Sequence, residues 1–257
     1  MKICVLIKQV PDKDTAYQIN DDNLTINTSD VSFVTNESDN YALEEALQLK
    51  EKTNGEVIVC TFGPESSQQV LKDALSKGAD RAIHITNDEF GEIDILSTAK
   101  ILHDVLNKEK FDLILSGLQS DDSGNGQLGI LLSELLSFTH ASLVMETNTD
   151  NPESIKVKRE LENGWFQWSN LQLPASITIQ SGINTPRYAS LMGIMAMKKK
   201  PIDVLGKEHI TININPKAQN KKIYFPVKDK QTKFIEGDVE SITSQLIDVL
   251  KNDVKVL

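Results

Sequence analysis

The sequence is short of residues that do chemistry by themselves. Its 257 residues include two Cys and four His, which excludes a disulfide framework, a zinc ribbon and an iron–sulfur ferredoxin. Aromatic residues make up 5% of the chain, and acidic residues outnumber basic ones 37 to 27, for a formal net charge of −10. Neither property suits a surface that holds nucleic acid. No apolar run approaches the ~20 residues of a membrane-spanning helix, so membrane insertion is not expected, and Met1-Lys2 leads straight into a strand-like segment. These absences point to a soluble, cytoplasmic, globular chain, long enough for a substantial core.

What the chain does have is alternation. Apolar, β-branched runs at residues 3–7, 57–61, 82–85, 113–115 and 141–145 read as buried strands. Between them lie amphipathic helices. One is capped by Ser38 or Asp39, buries Ala42, Leu43, Ala46, Leu47 and Leu49, and closes at Asn54-Gly55. A second opens at Gly63-Pro64-Glu65 and stops at Gly78. A third covers residues 93–106, and a fourth runs through Leu136. Such alternation predicts an α/β fold, a doubly wound parallel sheet with helices on both faces. Ligands of such sheets sit beyond the carboxyl ends of the strands, where strand order switches. After Thr147 the pattern becomes a hairpin, with strands 155–161 and 165–171 around Asn163-Gly164. Trp165 and Trp168 fall on its opposite faces, so one of them is expected in the core. A further strand covers residues 174–179, and an extended C-terminal arm carries a last helix near residues 238–250. The expected division is a nucleotide-binding domain over residues 1–190, then a partner-recognition loop and arm over residues 191–257.

The richest loop spans residues 116–129. Gly124, Gly126 and Gly129 spell G-x-G-x-x-G, and Glu146 stands where a ribose-binding acid would be in a dinucleotide fold. In that fingerprint, however, the glycine turn leaves the first strand directly; here polar residues intervene and the strand is the fourth. The loop also resembles the Ser-Gly-Gly-x-Asp-Ser loop of ATP pyrophosphatases, which follows the first strand, where this chain has Lys8-Gln9-Val10-Pro11. There is no Walker A lysine motif. The reading that remains, beside an ordinary solvated loop, is a helix N-terminus whose backbone N–H groups face a phosphate. Gln119, Asp122, Asn125 and Gln127 are then within reach of a ribose or an adenine edge. Asp121-Asp122 is too small a cluster to argue for a metal, and Cys4 and Cys60, inside apolar strands, read as inert thiols. No catalytic acid, base or nucleophile is expected, and no metal ligand.

A second segment, residues 184–201, crowds Leu191, Met192, Ile194, Met195 and Met197 into a short stretch that ends in Lys198, Lys199 and Lys200. Exposed Met and Leu beside cations in an otherwise acidic chain are adaptable material for docking partners.

These features together resemble the β subunits of electron transfer flavoproteins. The resemblance rests on Ile7-Lys8-Gln9-Val10-Pro11-Asp12, on residues 43–51 (Leu-Glu-Glu-Ala-Leu-Gln-Leu-Lys-Glu), on Gly63-Pro64, and on residues 77–82. It continues through Gly117-Leu118-Gln119-Ser120, residues 158–164, Leu173-Pro174-Ala175 and the whole of residues 184–201. It implies an adenine-nucleotide-hydrolase-like fold that hydrolyses nothing, in a heterodimer whose α subunit holds most of the FAD. It implies a structural AMP held by Leu6, Asn36, Glu37, Ser38, Asp39, Phe62 and the loop Gly117, Gln119, Asp122, Ser123, Gly124, Asn125, Gly126, Gln127 and Leu128. Tyr17 aligns near the aromatic that approaches the flavin. Leu191 aligns with the leucine that anchors in a partner dehydrogenase, flanked by Met192, Ile194, Met195 and Lys198 to Lys200. Flavin dehydrogenases would supply electrons, and a quinone oxidoreductase or similar acceptor would remove them. Two alternatives share the fold: a bifurcating member with a second FAD in place of AMP, and a stand-alone ATP-binding protein of the universal-stress type. Asp122-Ser123-Gly124-Asn125, where many bifurcating members carry Gly-Asp-Thr, favours AMP.

Overall fold

The structure, a computed structural model, describes residues 1–227 and 232–256. Residues 228–231 and 257 of the expected arm lie outside the described residues. The chain forms two compact units, one over Met1–Lys222 and one starting at Ile223.

In the first unit, β1 (Lys2–Leu6) is followed by four short strands, β2 (Gln9–Pro11), β3 (Gln18–Ile19), β4 (Ile26–Asn27) and β5 (Phe33–Thr35). There β2 pairs with β5 and β3 with β4, both antiparallel. Then come α1 (Glu37–Thr53), β6 (Glu56–Gly63), α2 (Gln68–Lys77), β7 (Arg81–Thr86), α3 (Ile95–Leu106), β8 (Leu113–Gly117), α4 (Leu128–Leu136) and β9 (Thr139–Asn148). Strands β10 (Ser154–Glu160), β11 (Phe166–Gln172) and β12 (Ala175–Ile179) precede α5 (Leu191–Met197) and β13 (Ile202–Leu205). The main sheet has the order β11-β10-β9-β12-β8-β1-β6-β7-β13. It is parallel from β9 to β13, and antiparallel where β9, β10 and β11 meet.

Central strands are apolar on both sides because both sides are covered. Along β1, Ile3 and Val5 face a core built with Leu43, Leu47 and Leu71 of α1 and α2. Cys4 and Leu6 face the opposite core, with Ile101 and Leu102 of α3 and Leu132 of α4. Each fully buried aliphatic side chain contributes about 1.5–3 kcal/mol, so this two-faced burial supplies most of what holds the sheet.

The doubly wound sheet has the predicted form, with three differences of detail. Helix α1 starts two or three residues earlier than expected, at Glu37 after Asn36; Ser38 and Asp39 do not cap it, because their side chains are turned to distant backbone groups instead. Strand β12, late in the chain, sits between β8 and β9 rather than beside its sequence neighbours. Neither hairpin tryptophan is core: Trp165 is 72% and Trp168 45% exposed, because β11 is an edge strand. Lys156 and Lys158 lie over the rings of Trp168 and Phe166. The turn itself closes as the sequence indicates, with Asn163 and Gly164 both at positive φ, 56° and 76°.

In the second unit, α6 (Val239–Asp248) is capped by the Asp238 carboxylate, which accepts the Ser241 N–H at 2.8 Å. Val239, Ile242 and Leu246 recur at helical spacing along one face.

Candidate functional site

Strand order reverses at β1. The chain steps outward through β6 and β7 on one side, then crosses to β8 on the other, and the carboxyl ends of β1 and β8 part there to leave a crevice. A cavity of about 290 Å³ occupies it. Leu6, Ser116 and Gly117 form its floor, Cys60, Phe62, Ile93 and Leu102 an apolar wall, and the loop between β8 and α4 its rim. Phe62 is fixed edge-on by Phe90, with ring centroids 5.6 Å apart.

Asp39 sits at the fork. One carboxylate oxygen accepts the Lys8 N–H at 2.8 Å, beyond the end of β1, and the other accepts the Gly117 N–H at 2.9 Å, at the end of β8. The two oxygens thereby accept from backbone N–H groups that the parting strands leave without a ladder partner. Burial nevertheless dominates and pushes the Asp39 carboxyl up to about 7, against the pull of those N–H groups.

Asn36 moors the rim. Its amide nitrogen donates to the Gln119 carbonyl at 2.9 Å, and its amide oxygen accepts the Asp121 N–H at 2.9 Å. The Ser38 hydroxyl donates to the same Gln119 carbonyl at 2.8 Å. The Asp121 carboxylate accepts the Glu37 N–H, 3.2 Å away at the start of α1, where a negative charge is favoured. On the cavity side, Lys8 Nζ donates to both Asp122 oxygens, at 2.7 and 2.6 Å. Burial alone would raise the Asp122 carboxyl; the Lys8 ammonium more than offsets it and holds the group below the usual carboxylate range. Gly124 and Gly126 take φ of 61° and 60°, which lets the loop turn back and run into α4. Gln127, the residue before that helix, makes no side-chain cap, so the first-turn N–H groups of α4 are open to an anion.

Leu6, Asn36, Asp39, Phe62, Gly117 and Gln119 all line this one cavity, as do Ser123, Asn125, Gly126, Gln127 and Leu128. Glu37, Ser38, Asp122 and Gly124 do not line it; the first three brace its rim and Gly124 shapes the turn. Tyr17 lies apart from it, partly exposed, with its hydroxyl donating to the Asp12 carbonyl at 3.2 Å. Lys8, Asn87, Thr98 and Ser116 also line the cavity and were not anticipated. Lys8, Asn87 and Ser116 lie at or just past the carboxyl ends of β1, β7 and β8, where the fold class alone could have marked them. Cys60, with its thiol pushed up to about 12 by burial, is no nucleophile. No cluster fit for a metal occurs among the described residues, and none of their helices is long and apolar enough to cross a membrane.

Away from the cavity, the Ser190 hydroxyl caps α5 by accepting the Gly193 N–H at 3.0 Å. Leu191, Met192 and Met195 are 76%, 81% and 66% exposed, and Ile194 44%. Lys198 and Lys199 are exposed as well. Lys200 departs from the expected run of docking cations: its ammonium turns inward and donates to the carbonyls of Leu75 and Ala79, at 2.9 and 2.6 Å.

A doubly wound, mostly parallel sheet with a crevice at its switch point defines a protein of the α/β class. Residues 23–209 match the family described as "Electron transfer flavoprotein domain". The chain is similar to the "Electron transfer flavoprotein subunit beta" of Methylophilus methylotrophus, 33% identical over 97% of this chain and 98% of that one. It is similar also to the protein of that description from Bacillus subtilis (strain 168), 31% identical over all of both chains. A third relative is "Electron transfer flavoprotein subunit beta, mitochondrial" of Oryza sativa subsp. indica, 34% identical over all of both chains. The chain belongs to the electron transfer flavoprotein family, among relatives described as its β subunits.

Proposed function

We propose that this chain is the β subunit of a heterodimeric electron transfer flavoprotein, an electron carrier that holds a structural AMP and shares one FAD with its α subunit. The FAD supplies the redox chemistry by taking up and releasing electrons; the protein supplies position, environment and choice of partner. Electrons enter from flavin dehydrogenases and leave to a quinone oxidoreductase or a similar acceptor.

The crevice at the β1–β8 fork carries the AMP reading. At about 290 Å³ it lies at the small end of the ~300–1,000 Å³ range of ligand cavities, which suits one mononucleotide better than a second dinucleotide. Its apolar wall of Phe62, Ile93 and Leu102 fits a purine. Gln119, Asn125 and Gln127 offer polar edges, and the open N–H groups of α4 fit a single phosphate. The one thiol of the cavity, Cys60, is held protonated by burial, which suits a nucleotide kept for structure.

Two surfaces suit the α subunit, the aromatic edge of the β10–β11 hairpin and the apolar stripe of α6. Tyr17 is the aromatic offered to the flavin. Leu191, Met192, Ile194 and Met195, beside Lys198 and Lys199, present the patch that meets the dehydrogenase.

Co-expression with a candidate α subunit tests the reading. A yellow, co-purifying heterodimer that releases one FAD and one AMP on denaturation is expected. A colourless, stable monomer sinks the carrier, and two FAD without AMP replaces it by the bifurcating form.

A further inference from the structure

Helix α5 is short, and its outward residues touch little of the protein, yet its two ends are held by groups that reach deep into neighbouring elements. Ahead of it, Asn184 donates to the Tyr41 carbonyl and the Glu45 carboxylate, both at 3.1 Å. Arg187 grips Glu44 through Nε at 2.8 Å, a second guanidinium nitrogen at 3.0 Å and its own backbone N–H at 3.1 Å, and it reaches Glu51 at 2.6 Å. Glu44 is 5% exposed. Burial alone would raise its carboxyl, but the Arg187 guanidinium and the Gln48 amide hold it below the usual range. Two planar groups bonded in this way define a direction as well as a distance.

In the middle of α5, Gly193 lies against the backbone of α2: a Cβ built there would collide with the Ser76 carbonyl oxygen. Behind it, Lys200 donates to the Leu75 carbonyl in the last turn of α2 and to the Ala79 carbonyl just past its end, and Pro201 accepts the Ala82 N–H at 3.0 Å as the chain joins the sheet edge in β13. Burial of the Lys200 ammonium lowers its pKa, yet its two carbonyl partners are both within 2.9 Å.

We infer that Arg187 and Lys200 are positioning residues for docking, which fix α5 at both ends so that Leu191, Met192, Ile194 and Met195 face the partner already in their bound arrangement. This rests on the reading of α5 as the dehydrogenase-docking helix. A surface that small has little affinity to spare for ordering itself, and fixing it beforehand removes that cost from the encounter. Lys200 thereby differs in kind from Lys198 and Lys199, which face solvent.

The test uses the complete heterodimer with a flavin dehydrogenase that reduces the native protein. Lys200→Met keeps the length of the stem and removes the donor. It is expected to raise KM for the flavoprotein about tenfold, to leave kcat, the flavin spectrum and the nucleotide content unchanged, and to speed amide exchange over residues 191–197. Arg187→Lys, which keeps the charge but loses the planar grip, is expected to do the same more weakly. Leu191→Ala is run beside them. If it raises KM and neither mount variant does, the positioning role is overturned while docking stands. If Leu191→Ala leaves KM unchanged, docking by α5 is itself overturned. Faster exchange with unchanged KM also overturns the inference, since a merely structural tether would produce that.

Discussion

Replacing Asp39 by Asn isolates the ionisation of a single buried carboxylate. In the native protein its pKa rises from 3.8 to about 7, chiefly by burial. Between these values the folded chain holds a proton that the unfolded chain has released, so its contribution to stability is complete below about pH 4 and is lost as pH rises to about 7. At 1.36 kcal/mol per pKa unit, the rise corresponds to about 4 kcal/mol over the whole window. Asparagine does not titrate. Its oxygen can replace one acceptor, but its NH2 faces the other backbone donor, and an orphaned buried N–H costs about 1–3 kcal/mol at every pH. The variant should therefore be the less stable protein at pH 5, and the gap should close or reverse by pH 8, with a swing of up to about 3 kcal/mol. Urea unfolding of both proteins at several pH values reads this directly, because every other titrating group cancels in the difference. Parallel pH profiles would refute the argument that burial raises the Asp39 carboxyl.

Asn36→Ala removes that residue's two ties to the rim loop and leaves the Asp121 N–H without its partner, while the Gln119 carbonyl keeps the Ser38 hydroxyl. Nucleotide retention through gel filtration should fall sharply, with a loss of about 1–3 kcal/mol in stability for the orphaned N–H; full retention would mean that the loop is held some other way. Leu191→Ala forfeits the contact of one large aliphatic side chain, about 1.5–3 kcal/mol. Steady-state kinetics with the dehydrogenase should show KM raised about tenfold or more while flavin content stays intact, and an unchanged KM would remove Leu191 as an anchor.

The layers of the fold were legible because strands buried on both faces write themselves as unbroken apolar runs, and residues 3–7 or 113–115 need no partner to be recognised. The position of β12 was not, since residues 174–179 carry the same signal whether they lie at an edge or between β8 and β9. The cavity was partly legible: the loop of residues 116–129 advertises itself by its glycines and amides. Ser38 and Asp39 read as helix caps because capping is the local use of such residues, whereas their partners, Gln119 and Gly117, are about eighty positions away. The three consecutive lysines look alike in sequence. Only the carbonyls at the end of α2 distinguish Lys200 from its neighbours.

The late insertion of β12 has a consequence for synthesis of the chain. Strand β8, whose end forms half of the crevice, has one flank on β1 and the other on β12. Until residue 179 has left the ribosome, that second flank is an open apolar edge, the kind that invites pairing with other chains. The sheet therefore cannot be finished in chain order, and contacts this distant in sequence form slowly. A nascent chain halted after β9 should accordingly be the most aggregation-prone length of this protein.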